Sequence, residues 1–395
     1  VREAVIVSAV RTAGGKAPRG TLRDTRPEFL GKLCMEEAIR RCGPNFKAEM
    51  IDDVIWGAAT PEQSCGMNTA RITALYAGIP ITVPATTVNR FCSSGSQAIA
   101  FAAEGIIANR CDIVLAGGIE HMSMVAMGGV TRPNPDLVLD PEVSKVYTSM
   151  GQTAENVASR YNITREQQDE FGYNSMMKAS AAQKAGKFKD EIVPVPVKIT
   201  TLGPDGKPVT KEILYDYEEG IRHDVTLEGM AKLRPAFVPG GTVTAANSSQ
   251  TTDGSAAVMV MEKQKALELG IKPRLKFVGF AVAGCGPDEM GIGPVFAIPK
   301  VLKRTGLELK DIGLIELNEA FASQSLYCIR ELGINPDIVN VNGGAIALGH
   351  PMGATGAKLT ATLMYEMERR DVKYGMVTMC IGGGQGAATI FELLK

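Results

Sequence analysis

Two stretches decide the fold: MIDDVIWGAAT, Met50 to Thr60, is echoed by LKDIGLIELNEA, Leu309 to Ala320, and DIVLAGGIE, Asp112 to Glu120, by MVTMCIGGGQG, Met376 to Gly386. Setting Asp53 against Gly313 gives an offset of 260, and Gly117 against Gly382 one of 265. Two matches at nearly one offset predict a duplicated core, with two unrelated α/β domains as the alternative. Uninterrupted apolar runs predict strands buried on both faces at Ala4 to Val10, Val54 to Ala59, Ile113 to Ala116, Val258 to Met261, Leu314 to Leu317 and Met376 to Ile381. Between them, Ile99, Ala102, Ala103 and Ile106 recur at spacings of three and four, predicting a helix over Gln97 to Asn109. With 43 glycines, this alternation gives an α/β class.

Working outward, the text changes from about residue 126 to 240, where 30 of 115 residues are charged, against 55 of the other 280. This predicts a polar insertion, with the proline-rich RPNPDLVLDPE, a helix from Arg165 to Ala185, and a hairpin in VPVPVKITTLGPDGKPVTKEILYD turning at Asp205 and Gly206. A segment of this kind over a two-half core is suited to cover a binding site.

Composition sets the outer bounds. The length of 395 residues suits two to three ordinary domains. Forty-two basic residues against 43 acidic ones leave −1, so no general positive field attracts nucleic acid or an anionic membrane. Long uncharged runs such as Tyr374 to Phe391 carry glycines, threonines and a glutamine, and none resembles a membrane span. Ala4 to Val10 is short and ends at Arg11, which suits a buried first strand better than a signal peptide. Eight scattered cysteines with no CxxC pair predict free thiols and a reducing, cytoplasmic setting.

Four segments could carry chemistry. In VNRFCSSGSQAIAF, Cys92 stands at the start of a helix, where the macrodipole and free amides favour thiolate, so it is a candidate nucleophile beside the alternative of an inert buried thiol. Of three histidines, His121 and His223 have settings equally suited to structural roles. His350, in NGGAIALGHPMGATGAK, is held by glycines and Pro351 in a rigid turn and suits a base. In MVTMCIGGGQGAATI, Cys380 ends a strand before three glycines whose bare N–H groups could face a reacting oxygen. Gly382 to Ala387 also satisfies GxGxxA, but only eight residues follow, too few for a dinucleotide unit. In ELNEAFASQ, Asn318 and Glu319 at a strand end could hold a water or orient a histidine, or simply cap a helix. No pair of Cys or His has metal-ligand spacing, so no metal is expected.

Together VNRFCSSG, NEAFA, GHPMGATGA and CIGGGQG resemble the catalytic blocks of the thiolase family of acyl-CoA C-acetyltransferases. The resemblance continues through MGQTAENVA, AKLRPAF, GTVTAANSSQTTDG and MGIGP, covers the whole chain and is strongest to degradative members. It implies an α/β thiolase fold: two βαβαβαββ halves in a five-layered α/β/α/β/α arrangement with an inserted loop domain. The implied division is 1–120 with 246–272 for the first half, 121–245 for a loop domain over the CoA site, and 273–395 for the second half. It further implies Cys92 as acylated nucleophile, His350 as its base and Cys380 as acid/base at the α-carbon. Asn318 would hold a water that forms one oxyanion site with His350, and the N–H groups of Cys92 and Gly382 would form the other. The implied activity is thiolytic cleavage of 3-ketoacyl-CoA, and the reverse condensation, in fatty-acid β-oxidation.

No permanently bound cofactor is implied; coenzyme A and acyl-CoA are substrates and partners. Arg222 matches a position near the nucleotide, Ser249 one on the pantetheine arm, and Met150, Phe237 and Phe321 the pantetheine or acyl path. Two positions depart from the family pattern: Ser149 stands where members dedicated to acetoacetyl-CoA have histidine, and Gly229 where serine is usual. The alternatives are a biosynthetic acetoacetyl-CoA thiolase, a decarboxylating ketoacyl synthase, which the second cysteine block disfavours, and a non-catalytic acyl-CoA binding subunit. A homodimer or homotetramer is expected.

Overall fold

Ala4–Arg11 (β1) is buried at all eight positions, which is what its continuous apolar text requires of a strand covered on both faces. The structure, a computed structural model, describes residues 2–202 and 204–395. After β1 come α1 (Pro27–Arg40), β2 (Asp53–Gly57), α2 (Thr69–Tyr76), β3 (Ala85–Val88), α3 (Ser94–Ile107) and β4 (Ile113–His121). The insertion holds α4 (Met150–Arg160), α5 (Arg165–Lys184) and the strands β5 (Val195–Leu202) and β6 (Pro208–Tyr215), after which β7 (Thr252–Glu262) returns to the core. The second half is β8 (Leu275–Gly284), α6 (Gly293–Thr305), β9 (Leu314–Leu317), α7 (Ala322–Leu332), α8 (Met352–Arg370), β10 (Tyr374–Ile381) and β11 (Gln385–Leu393).

The strand order is β9-β10-β11-β8-β1-β7-β4-β2-β3, with the short strand Gly15–Lys16 alongside β7. In each half a parallel pair, β2 with β4 and β9 with β10, is followed by an antiparallel return strand. The halves meet where β1 and β8 pair at only two positions, Val5 with Lys276 and Ile6 with Leu275. The first half follows βαβαβαββ in full. In the second, the counterpart of β3 is reduced to one parallel bridge, Ile315 with Val339.

Three hydrophobic clusters show the layers. Leu30 and Met35 of α1 and Ala70 of α2 pack on Val54, Leu115 and Met259. Ile99 of α3 and Leu363 and Met367 of α8 lie in one cluster with Val258 and Val260 of the first sheet and Val377 and Met379 of the second. Ala297 and Val301 of α6 and Cys328 of α7 cover Ile315, Leu317 and Met376. The result is α/β/α/β/α.

The duplication holds, with one correction to its alignment. Strands β2 and β9, and β4 and β10, correspond at an offset of 260 to 261, so Gly117 and Gly382 are not equivalent. Gly117 and Gly118 lie inside β4, where a Cβ would come within 2.3 Å of the Trp56 ring and 2.1 Å of the Gly353 carbonyl oxygen. They are glycines of close approach, whereas Gly382 to Gly384 form the turn after β10. For the same reason β4 runs five residues beyond the predicted Ala116. In the insertion, Thr164 and Gln167 form a capping box at the start of α5, and Gly206, at φ +73°, lies between the two hairpin strands.

Candidate active site

The C-terminal ends of the parallel strands converge, the place where open α/β sheets bind ligands. Cys92 lies in a single 3-10 turn, Phe91–Ser93, between β3 and α3, and Phe91 takes a positive φ of 42° to make that turn. Asn318 follows β9, its N–H bonded to the Thr378 carbonyl of β10. Cys380 is the penultimate residue of β10, opposite Gly386 of β11. His350 sits between Gly349, at φ +78°, and Pro351, the N-cap of α8. Met352 shares an apolar cluster with Cys92, Ala17, Ala59 and Met122, so α8 carries His350 to the turn that holds Cys92.

Hydrogen bonds fix the histidine. Thr355 Oγ1 donates to the Pro351 carbonyl at 3.0 Å and lies 2.6 Å from His350 Nδ1. With its one proton committed, the hydroxyl accepts from Nδ1–H, which leaves the lone pair on Nε2. That nitrogen lies 3.4 Å from Asn318 Nδ2. Asn318 Oδ1 is buried with no partner among the described residues, open to a water or a substrate atom. The buried Lys358, one turn beyond Thr355, donates to the carbonyls of Leu348 and Gly349 and pins the approach to His350.

Electrostatics correct the expectation for Cys92. The N–H groups of Gly382 and of Cys92 itself favour the thiolate, but burial outweighs them and, with the Glu120 charge adding to it, pushes the thiol up to about 11. Position at a helix start therefore does not ionise this cysteine; a base must take its proton. Burial, aided by the Lys358 charge, lowers His350 to about 3, so the imidazole is neutral and ready to accept one. Burial also raises the Cys380 thiol well above its ordinary value, with the neighbouring Cys92, Cys328 and Cys285 adding to the rise.

The residues matched to CoA contacts fall into two groups. A Cβ on Gly382 would meet Met150 and Phe91 at 3.6 and 3.7 Å, which places Met150 at the glycine turn after β10. Phe237 packs edge-on against Phe321 with ring centres 5.9 Å apart, and its ring lies over Gly151. Ser249 N–H bonds to the Ala320 carbonyl, beside Phe321. Arg222 is exposed and lines a separate small cavity with Met176, Ala246, Gln250 and Ile346. Ser149 caps α4 through the Gln152 N–H, and a side chain at Gly229 would meet only Thr226 Oγ1.

Other candidates are structural. His121 is buried against the Leu22 carbonyl and Asp253, and His223 bonds to Ser180. Glu319 turns away from the pocket to accept from Ser175, Asn340 and the Ile346 N–H. Sequence reasoning missed Glu120, whose buried carboxylate accepts from the N–H groups of Ala59, Thr60 and Gly353 and ties the end of β2 to the start of α8. It also missed Thr355, Lys358 and Gln324, though each lies inside a quoted motif; their spacing from the reactive residues was the available signal.

A duplicated α/β core whose halves each bring a cysteine within electrostatic reach of the other, with a neutral buried histidine in the same region, is the arrangement of an acyltransferase. The chain belongs to the thiolase family: the model "Thiolase, N-terminal domain" matches residues 4–264 and "Thiolase, C-terminal domain" residues 271–393. It is 55% identical over 394 residues to a 3-ketoacyl-CoA thiolase of Bacillus subtilis, each chain covered in full, and 47% identical to one of Yersinia pestis, with 99% of each covered. Among solved structures it superimposes on the Bacillus anthracis acetyl-CoA acetyltransferase with a TM-score of 0.87 at 38% identity, covering 100% of this chain and 99% of that one.

Proposed function

We propose that this enzyme cleaves 3-ketoacyl-CoA by thiolysis and runs the reverse condensation through an acyl group on Cys92. The observation that carries the reading is the juxtaposition of two dissimilar thiols. Cys92 lies under two backbone N–H groups, whereas Cys380 is buried at a strand end within electrostatic reach of it. The Cys92 proton passes to His350 Nε2 as sulfur attacks the keto carbon, and the N–H groups of Cys92 and Gly382 receive the oxyanion. Cys380 protonates the departing enolate of acetyl-CoA. The CoA thiol then gives its proton to the Cys380 thiolate and attacks the acyl group, and Cys92 recovers its proton from His350. A water on Asn318, with His350, stabilises the enolate oxygen.

Residues 121–245 form the loop domain over the CoA site, with 1–120 and 246–272 as the first half and 273–395 as the second. Met150, Phe237, Phe321 and Ser249 line the pantetheine and acyl path, and Arg222 meets the nucleotide. The proposed setting is β-oxidation in the cytoplasm, supported by eight free cysteines. Self-association, as a dimer or tetramer, is supported by β3, an edge strand, and by Met67 and Ile81, which are 88% and 80% exposed. Light scattering is expected to give a multiple of 42.0 kDa; a monomer mass at micromolar concentration contradicts that. The function itself is tested by CoA-dependent loss of 3-ketoacyl-CoA enolate absorbance. Turnover on six-carbon and longer substrates at least equal to that on acetoacetyl-CoA is expected, and a steep fall beyond four carbons would favour the biosynthetic alternative.

A further inference from the structure

Cys380 has a partner that the scheme above does not use. Its Sγ–H donates to Oε1 of Gln324 at 2.7 Å, and both side chains are fully buried. Gln324 stands in the first turn of α7, and its backbone is seated tightly, since a Cβ on Gly291 would come within 2.5 Å of the Gln324 Cβ. The other end of the same amide, Nε2, is buried with no hydrogen-bond partner among the described residues. A buried unpaired amide nitrogen is costly and calls for a use.

We propose that Gln324 is a positioning residue that serves both protonation states of Cys380, its carbonyl accepting from the thiol and its NH2 group donating to the thiolate. This rests on the reading of Cys380 as acid/base. When the enolate is protonated, the Cys380 S–H bond breaks and the Cα–H bond forms. The enolate supplies the electron pair of the new bond, and sulfur keeps the pair of the old one. The thiolate cannot donate to Oε1, and the carbonyl dipole then repels it. A half-turn of the amide about its last torsion, which has two broad wells, brings Nε2–H onto the sulfur. That turn breaks no other bond, because Nε2 had none. When the CoA thiol returns a proton to Cys380, the amide turns back.

Of the side chains around the sulfur the amide is the one able to do this, beside the Cys380 N–H, which also favours the thiolate. The titratable groups that bear on the Cys380 sulfur are thiols: Cys92 from the turn before α3, Cys328 from α7 and Cys285 from the end of β8, each of which disfavours a second thiolate. Cys328 is engaged with the Gly291 carbonyl, and Cys285 faces that of Met290.

The test separates the two steps in Gln324→Met, which keeps length without hydrogen bonds, and in Gln324→Glu, which keeps an acceptor but loses the donor. Exchange of solvent deuterium into the acetyl-CoA methyl group reports Cys380, and acetylation of Cys92 by acetyl-CoA reports the nucleophile. Both variants are expected to acetylate within about twofold of the parent and to exchange at least ~10-fold more slowly, the scale of one hydrogen bond to a charged group. The pH dependence of their exchange should shift to alkaline values. Unchanged exchange, or equal slowing of both steps with an unmoved pH profile, would overturn the inference. Cys380→Ser, run alongside, separates the two ideas: retained exchange there would remove the acid/base reading itself, whatever Gln324 does.

Discussion

The penultimate residues of β4 and β10 hold equivalent positions in the two halves, yet they are Glu120 and Cys380, at an offset of 260. Glu120 accepts three backbone N–H groups and binds the first sheet to α8, whereas Cys380 has one side-chain hydrogen-bond partner and is otherwise packed in an apolar cluster with Ala154, Val243, Met290 and Phe321. Equivalent strand ends thus carry different groups, a structural tie in the first half and, on the proposed function, the acid/base in the second. The proposed nucleophile, Cys92, comes from a third place, the turn after β3, a strand whose counterpart in the second half has shrunk to a single bridge.

If the chemistry belongs to Cys92 and Cys380 and the architecture to Glu120, their variants must fail in different ways. Cys92→Ala is expected to lose acetylation, exchange and thiolysis together by about 10⁴-fold or more, the scale of removing a nucleophile. Thiolysis within tenfold of the parent, measured by enolate absorbance, would place the acyl group elsewhere.

Next in size is the base. His350→Asn should slow Cys92 acetylation by about 10²-fold at neutral pH. The thiol lies at about 11, so the variant should recover as pH rises toward that value and the proton leaves unaided. In the parent, His350 is depressed to about 3, so it remains an acceptor well below 6.5 and the acid limb of acetylation should fall below that pH. A parent limb centred at 6.5 or above would contradict the buried, neutral imidazole.

Glu120→Gln should damage stability instead, because an NH2 group would face donors that now meet a carboxylate. A loss of about 2 kcal/mol at pH 7.5, measured by urea midpoint, is expected. Glu120 is raised from 4.5 to about 6 by burial, so the folded parent takes up this proton before the unfolded chain does. Acid therefore favours the folded parent through that window, and its margin over the glutamine variant should widen between pH 6 and 4.5. A constant margin would place the Glu120 proton elsewhere.

The legible parts of this molecule were those where one local signal sufficed. Leu314 to Leu317 matches β9 residue for residue, and α5 begins at the predicted Arg165. Cys92 and His350 stood in turns, and Cys380 at a strand end, that glycine and proline mark. Position alone could not reveal which effect dominates the ionisation of Cys92, because burial depends on the second half closing over it. Nor could Gly117 and Gly118 be told from a strand end, since what they admit, Trp56 and the Gly353 carbonyl, comes from other elements. Glu120 and Gln324 act through partners from 56 to 233 residues away in sequence, which a linear motif does not display.

The smallest expected effect concerns chain length. Each methylene accommodated in an apolar channel contributes about 0.8 kcal/mol, roughly fourfold. Ser149→His should shift the ratio of six-carbon to four-carbon turnover toward acetoacetyl-CoA by a few fold. It should also cost about 1 kcal/mol through loss of the α4 cap. An unchanged ratio would remove this position from substrate selection.

The division of labour between the cysteines is tested most directly by incubating Cys380→Ser with acetyl-CoA, mapping the acetyl group by peptide mass, and assaying thiolysis of the same sample. The account predicts near-stoichiometric acetyl on Cys92 with thiolysis reduced at least ~10²-fold. Loss of acetylation in parallel with thiolysis, or acetyl on another cysteine, would contradict it.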